Sequence, residues 1–221
     1  MPRGTIAITE QQVEIDFGNI RLNGDLALPE GAAGLVIFAH GSGSGRHSPR
    51  NRFVAQRLTE VPMGTLLLDL LTGEEERIDE YTRHLRFDID LLAGRVVGVI
   101  DWAAERARLA NLKVGVYGAS TGAAAALVAA ARRPERVSAL VSRGGRADLA
   151  GDALGQVHAP TLLIVGGDDL VVLELNRQAV RQMRCETQLE IIHGATHLFE
   201  EPGAREEVSE LTADWFAKRI A

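Results

Sequence analysis

Residues 112–122 read Leu112-Lys113-Val114-Gly115-Val116-Tyr117-Gly118-Ala119-Ser120-Thr121-Gly122, and an alanine-rich run from Ala123 to Arg132 follows directly. An apolar strand (Leu112 to Tyr117) therefore passes through Gly-x-Ser-x-Gly into a helix. A serine on such a tight strand-to-helix turn is held in a strained backbone conformation with its Oγ exposed. The flanking glycines leave room for the backbones that pack around the turn. The five-letter pattern is suggestive alone; the strand before it and the helix after it give it meaning.

Working outward, strand-like and helix-like segments alternate. Val13–Phe17 and Ile20–Leu28 read as an antiparallel pair at a sheet edge. Leu35–Ala39, Thr65–Asp69, Val114–Tyr117, Val137–Val141 and Thr161–Val165 are short runs rich in Val, Ile and Leu, as expected of parallel strands buried on both faces. Leu189–His193 reads as the last strand. Helical patterns lie at Asn51–Thr59, Asp90–Ala107, Ser120–Arg132 and Leu173–Met183, and Val208, Leu211 and Trp215 form one stripe of a final helix. This alternation predicts an α/β fold with a mostly parallel sheet of about eight strands and helices on both faces. The acidic stretch Gly73-Glu74-Glu75-Glu76 reads as a solvated loop. The connection from Thr72 to Arg86 is a surface excursion or a partial lid that could bring Tyr81, Arg83, His84 or Arg86 to a ligand.

In open parallel sheets ligands bind beyond the carboxyl ends of the strands, so polar residues just after strands matter most. Ser120 is one; its alternative role is a helix N-cap. Asp168 and Asp169 follow the seventh strand. One should serve local turn chemistry, and Asp169 is preferred as the carboxylate that orients a histidine. His197 is preferred over the strand-end His193 as general base and later general acid. His40-Gly41-Ser42-Gly43-Ser44-Gly45 follows the third strand. Its small residues let backbone N–H groups approach a developing oxyanion, with Ser42 and Thr121 as candidate donors. A phosphate-cradling loop is the weaker reading, because the glycines miss the dinucleotide spacing and no Gly-Lys-Ser/Thr follows.

The remaining composition sets bounds. The chain has 221 residues, 46% hydrophobic and 24% charged, with a net charge of −6. That fits one globular domain spanning 1–221 and argues against general nucleic-acid binding. No apolar run is long enough to span a membrane, and Met1 to Thr5 lacks the core of a signal peptide. The lone Cys185 excludes an internal disulfide and fits a cytoplasmic location. No Cys/His cluster has metal-ligand spacing, and no cofactor is expected. The composition is compatible with a homodimer.

Phe38-Ala39-His40-Gly41-Ser42-Gly43-Ser44, Gly118-Ala119-Ser120-Thr121-Gly122, Val165-Gly166-Gly167-Asp168-Asp169 and Gly194-Ala195-Thr196-His197-Leu198-Phe199 together resemble the α/β-hydrolase superfamily over nearly the full length. The order Ser120, Asp169, His197 is that of α/β-hydrolases. Within the superfamily the chain looks most like the small dienelactone-hydrolase-like proteins without a large cap domain, since the sixth and seventh strands are closely spaced. The resemblance implies a Ser120–His197–Asp169 triad and hydrolysis of an ester or lactone. Strict dienelactone hydrolases use a cysteine nucleophile where this chain has serine, so their named substrate is not implied. A thioesterase, peptidase or acyltransferase with the same triad, or a binding protein that kept only the fold, are the alternatives. Arg46 and Arg143, in loops at the same sheet edge, are candidate contacts for a carboxylate or phosphate on a small-molecule substrate.

Overall fold

The structure is a computed structural model that describes residues 7–220; the reading of Met1 to Thr5 lies outside them. Eight strands form one sheet in the order β1-β2-β4-β3-β5-β6-β7-β8. β1 (Ile8–Phe17) and β2 (Ile20–Pro29) pair antiparallel, and β2 pairs antiparallel with β4 (Met63–Leu68). From β4 onward all neighbours are parallel: β3 (Gly34–Ala39), β5 (Lys113–Ala119), β6 (Val137–Arg143), β7 (Thr161–Gly166) and β8 (Thr187–Ile192). Each expected strand is present, and the antiparallel pair sits at the edge.

The central strands are buried on both faces, and their alternation sorts side chains between two cores. In β3, Leu35, Ile37 and Ala39 join the core beneath α3 (Ile89–Ala104) and α4 (Thr121–Arg132). Val36 and Phe38 join the opposite core beneath α1 (Pro49–Thr59) and α6 (Ala204–Ile220). Close approach is built in by small residues. A Cβ on Gly115 would lie 2.5 Å from the Phe216 ring, so the glycine in β5 is the seat on which α6 rests its buried aromatic.

The acidic stretch is not a loop. It forms the first turns of α2 (Gly73–Thr82). Thr72 Oγ1 accepts from the Glu75 N–H at 3.2 Å, and Glu75 Oε2 accepts from the Thr72 N–H at 2.8 Å, a reciprocal cap of the helix start. Glu74, Glu75 and Glu76 also stand at the positive end of the helix. Glu75 pairs in addition with the buried Arg95 of α3, which ties α2 to the body of the protein.

Between β6 and β7, residues 144–160 hold only a kinked 3-10 segment (Ala147–Gln156) and no cap domain. α5 (Leu170–Val180) follows β7. Among the described residues no helix is long and apolar enough to cross a membrane.

His40, at the end of β3, links two neighbouring strands. The Leu70 N–H can only donate, and it points at His40 Nε2 at 2.9 Å. Nε2 is therefore the bare nitrogen, and Nδ1–H donates to the Gly41 carbonyl at 2.9 Å. Burial pushes the imidazolium pKa below its usual value, outweighing the Gly41 carbonyl and the nearby Asp69 carboxylate.

Two outcomes are expected. Phe216→Ala leaves a cavity over Gly115 and costs about 3–5 kcal/mol in urea denaturation. For His40 the unfolded chain takes up a proton more readily than the folded one. Its contribution to stability is therefore intact above about 6.5, the ordinary histidine value, and is lost as pH falls toward the lower folded value. Urea titrations at pH 7.5 and pH 5.5 should show a smaller acid loss in His40→Gln than in the unmodified chain.

Candidate active site

Ser120 lies between β5 and α4 with φ 51° and ψ −121°. Non-glycine residues rarely adopt positive φ, so the surroundings must enforce it. The Ser120 N–H donates to the Arg143 carbonyl at 3.1 Å. Its own carbonyl accepts from the Ala123 and Arg146 N–H groups at 3.1 and 3.0 Å. A Cβ on Gly118 would sit 2.4 Å from the Ala123 Cα, and one on Gly122 would sit 2.3 Å from the Ala39 and His40 carbonyl oxygens. Both glycines of the motif are thus required by backbone packing. Gly41 lies over the serine itself, where a Cβ would come within 3.0 Å of Ser120 Cβ. Ser120 makes no side-chain cap bond to α4, so its hydroxyl is free for another partner.

That partner is His197. Its Nε2 lies 3.3 Å from Ser120 Oγ, and its Nδ1 lies 2.6 Å from Asp169 Oδ2. An ionised carboxylate only accepts, so Nδ1 carries the proton and Nε2 is left to accept from the serine hydroxyl. Asp169 is the N-terminal cap position of α5, just after β7, and makes no capping bond there. Asp168 is exposed, and its N–H donates to the Ala195 carbonyl at 3.0 Å. His193 is exposed just past β8. The histidine loop is pressed onto β7: a Cβ on Gly166 would lie 2.4 Å from the Ala195 carbonyl oxygen. It ends on Phe199, which is buried at φ 54°.

The strap Gly41–Ser44 runs across the serine. The Ser42 N–H donates to Thr121 Oγ1 at 3.0 Å, so one candidate oxyanion donor is held beside the serine turn by a side chain. Ser120, His197, Ala119 and the strap line a cleft of about 200 Å³, whose other wall is Arg143, Leu198, Arg50, Asn51 and Ser48. A neighbouring cavity of about 380 Å³ shares the strap as a wall and is lined further by Leu70, Leu71, Leu92, Glu76, Glu80 and Arg86. Burial first, and Asp69 second, raise the Glu76 carboxyl above its usual value.

The segment 72–86 therefore walls this second cavity, and it is fastened. The buried Asp79 carboxylate accepts from the Arg86 Nε at 2.5 Å and from the Leu85 N–H at 2.7 Å. Of the four side chains considered for contact, Arg86 reaches the cavity, whereas Tyr81 is 89% exposed.

The two arginines part ways. Arg143 stands in the wall of the serine cleft. Arg46 does not. Its guanidinium pairs with Asp69 and with Asp25 at 3.4 Å, and its N–H donates to Asp69 Oδ1 at 2.8 Å. Its place in the cleft is taken by Arg50, from the same short segment 46–51, with Asn51 beside it. Both stand in the first turn of a helix that starts just past the strap.

The profile of the dienelactone hydrolase family matches residues 26–220. A dienelactone hydrolase of known crystal structure from Anabaena variabilis is 56% identical, with a TM-score of 0.95 over 97% of this chain and 99% of that one. Est1E from Butyrivibrio proteoclasticus, 18% identical, shares the fold with a TM-score of 0.78 over 94% of this chain and 98% of its own. A Mycobacterium tuberculosis protein named "Putative phosphoribosyl transferase" is 55% identical over 213 residues, which are 96% of this chain and 47% of that relative. The chain thus spans about half the length of the curated relatives it matches. With the sheet order, the uncapped β6–β7 connection and the match over residues 26–220 in agreement, the chain belongs to the dienelactone hydrolase family and is an α/β hydrolase.

Proposed function

We propose that the chain is a serine hydrolase acting on carboxylic esters or lactones through an acyl-enzyme on Ser120. The observation that carries this reading is the unbroken line from Asp169 to His197 to Ser120 at the carboxyl edge of the parallel strands. His197 Nε2 takes the hydroxyl proton as Ser120 Oγ attacks the carbonyl carbon. The proton then passes to the departing alkoxide, and the ester C–O bond breaks. A water deprotonated by the same nitrogen attacks the acyl-enzyme, and the serine leaves with the proton returned. Asp169 fixes the tautomer and stabilises the imidazolium.

The tetrahedral oxygen would be held by the Ser42 and Thr121 N–H groups. The Ser42 N–H donates to the Thr121 hydroxyl, so a substrate oxygen would take that hydroxyl's place. The reaction as written draws on no metal or organic cofactor. The same three side chains can attack a thioester or an amide. The phosphoribosyl transferase named for the Mycobacterium tuberculosis relatives belongs, on this reading, to the part of those chains beyond the matched half.

Fluorophosphonate labelling should be stoichiometric in the unmodified chain and absent in Ser120→Ala; labelling that persists identifies a different nucleophile. Asp169→Asn is expected to lower kcat on p-nitrophenyl esters by roughly 10³- to 10⁴-fold while Ser120 stays in place. A panel of p-nitrophenyl esters, lactones and thioesters ranks the acyl chemistry.

A further inference from the structure

Three polar side chains in the wall of the serine cleft are under-partnered: a buried guanidinium without a counter-ion, and two side chains with a buried polar atom that makes no hydrogen bond. Arg143 is 5% exposed, yet its hydrogen bonds are long, 3.4 Å to the Tyr117 hydroxyl and 3.5 Å to the His197 carbonyl. Its other neighbour is the Phe199 ring, 5.4 Å away, and among the described residues it forms no ion pair. Asn51 is 2% exposed, and its Oδ1 is buried with no hydrogen-bond partner. Arg50 has a buried, unpartnered Nε, and its Nη1 reaches only the exposed Glu200 at 3.4 Å. All three line the cleft that holds Ser120 and His197.

Among the described residues Arg143 differs from the other buried and half-buried guanidiniums. Arg46, Arg86, Arg95, Arg133 and Arg146 each have a carboxylate within hydrogen-bond distance. A guanidinium stays charged at any accessible pH, so burying one without a counter-ion is unfavourable until an anion arrives. The backbone adds to the same field. Ser48 caps α1, an eleven-residue helix, and Arg50 and Asn51 stand in its first turn, so the positive end of α1 faces the cleft.

We infer that this wall is a subsite for a phosphate monoester carried by the substrate, an inference that rests on the serine-hydrolase reading for its position beside the scissile bond. Two cations and a helix N-terminus match a dianion better than a single charge. Their donors also stand on more than one element: Arg143 at the end of β6, Arg50 and Asn51 on α1. Three tetrahedral oxygens can meet such a spread, whereas a planar carboxylate is satisfied by one guanidinium. Ser48 Oγ accepts the Asn51 N–H at 3.4 Å and keeps its own proton to donate. A half-turn of the Asn51 amide presents Nδ2 as a further donor.

The test compares three p-nitrophenyl esters that do not readily cyclise: 4-methoxybutyrate as the neutral one, 4-phosphooxybutyrate, and the monoadipate as the carboxylate counterpart. The readout is the ratio of kcat/KM for the phosphate ester over the neutral one. The unmodified chain should show a ratio of roughly 10- to 100-fold, the span expected of charge-assisted hydrogen bonds. Arg143→Gln should collapse it. Arg50→Gln, at the less buried rim, should lower it several-fold and keeps the test open if the buried substitution fails to fold. Inorganic phosphate should inhibit hydrolysis of the neutral ester competitively. A ratio near one, or a ratio unmoved in the folded variants, overturns the inference; equal preference for the adipate ester overturns the assignment to a dianion. Calorimetric titration of 4-phosphooxybutyrate into Ser120→Ala separates the two readings. Binding there without any turnover by the unmodified chain leaves the subsite standing and removes the nucleophile, and turnover without binding does the reverse.

Discussion

Three backbones meet around Ser120, and the site depends on how close they come. The end of β3, the turn after β5 and the start of α4 approach so nearly that Gly118 and Gly122 have no room for a side chain. That contact, with the bonds from Arg143 and Arg146, holds the serine at a positive φ. The same approach sets the strap Gly41–Ser44 over the hydroxyl and puts the Ser42 N–H against Thr121. Strain at one residue is thus carried by many close contacts, each individually weak.

The histidine side is built by a matching device. His197 is delivered by a loop pressed onto Gly166 at one end and closed by Phe199 at positive φ at the other. Arg143 joins the two halves. Its carbonyl receives the serine N–H, while its guanidinium reaches the His197 carbonyl and lies over the Phe199 ring. A side chain so placed ties the serine turn to the histidine loop.

Much of this was legible in the sequence because it rests on local constraints. A strand buried on both faces must be an unbroken apolar run, and each of β3 to β7 was visible for that reason. The serine turn declared itself through glycines that packing requires, and Asp169 and His197 through their positions just past strands. What escaped was set by spacing or by distant partners. The helix α2 was hidden by its charge, although Thr72 and Glu75 carry the spacing of a reciprocal cap. Arg46 and Arg50 are both arginines in one short stretch. Only the fold brings Asp25 from β2 and Asp69 from the end of β4 to neutralise the first and leave the second at the cleft. No local pattern marks a buried amide such as Asn51 as unpartnered.

The short crossing from β6 to β7 bears on how such a protein can change over generations. Its kink at Gly151 has φ 53° and nothing within 4 Å of where a side chain would begin. The segment lies a few residues from Arg146, whose N–H is anchored to Ser120. New polypeptide spliced at that kink would emerge into open water without unseating either sheet face. Growth of the chain there would leave the backbone bonds that hold Ser120 as they are.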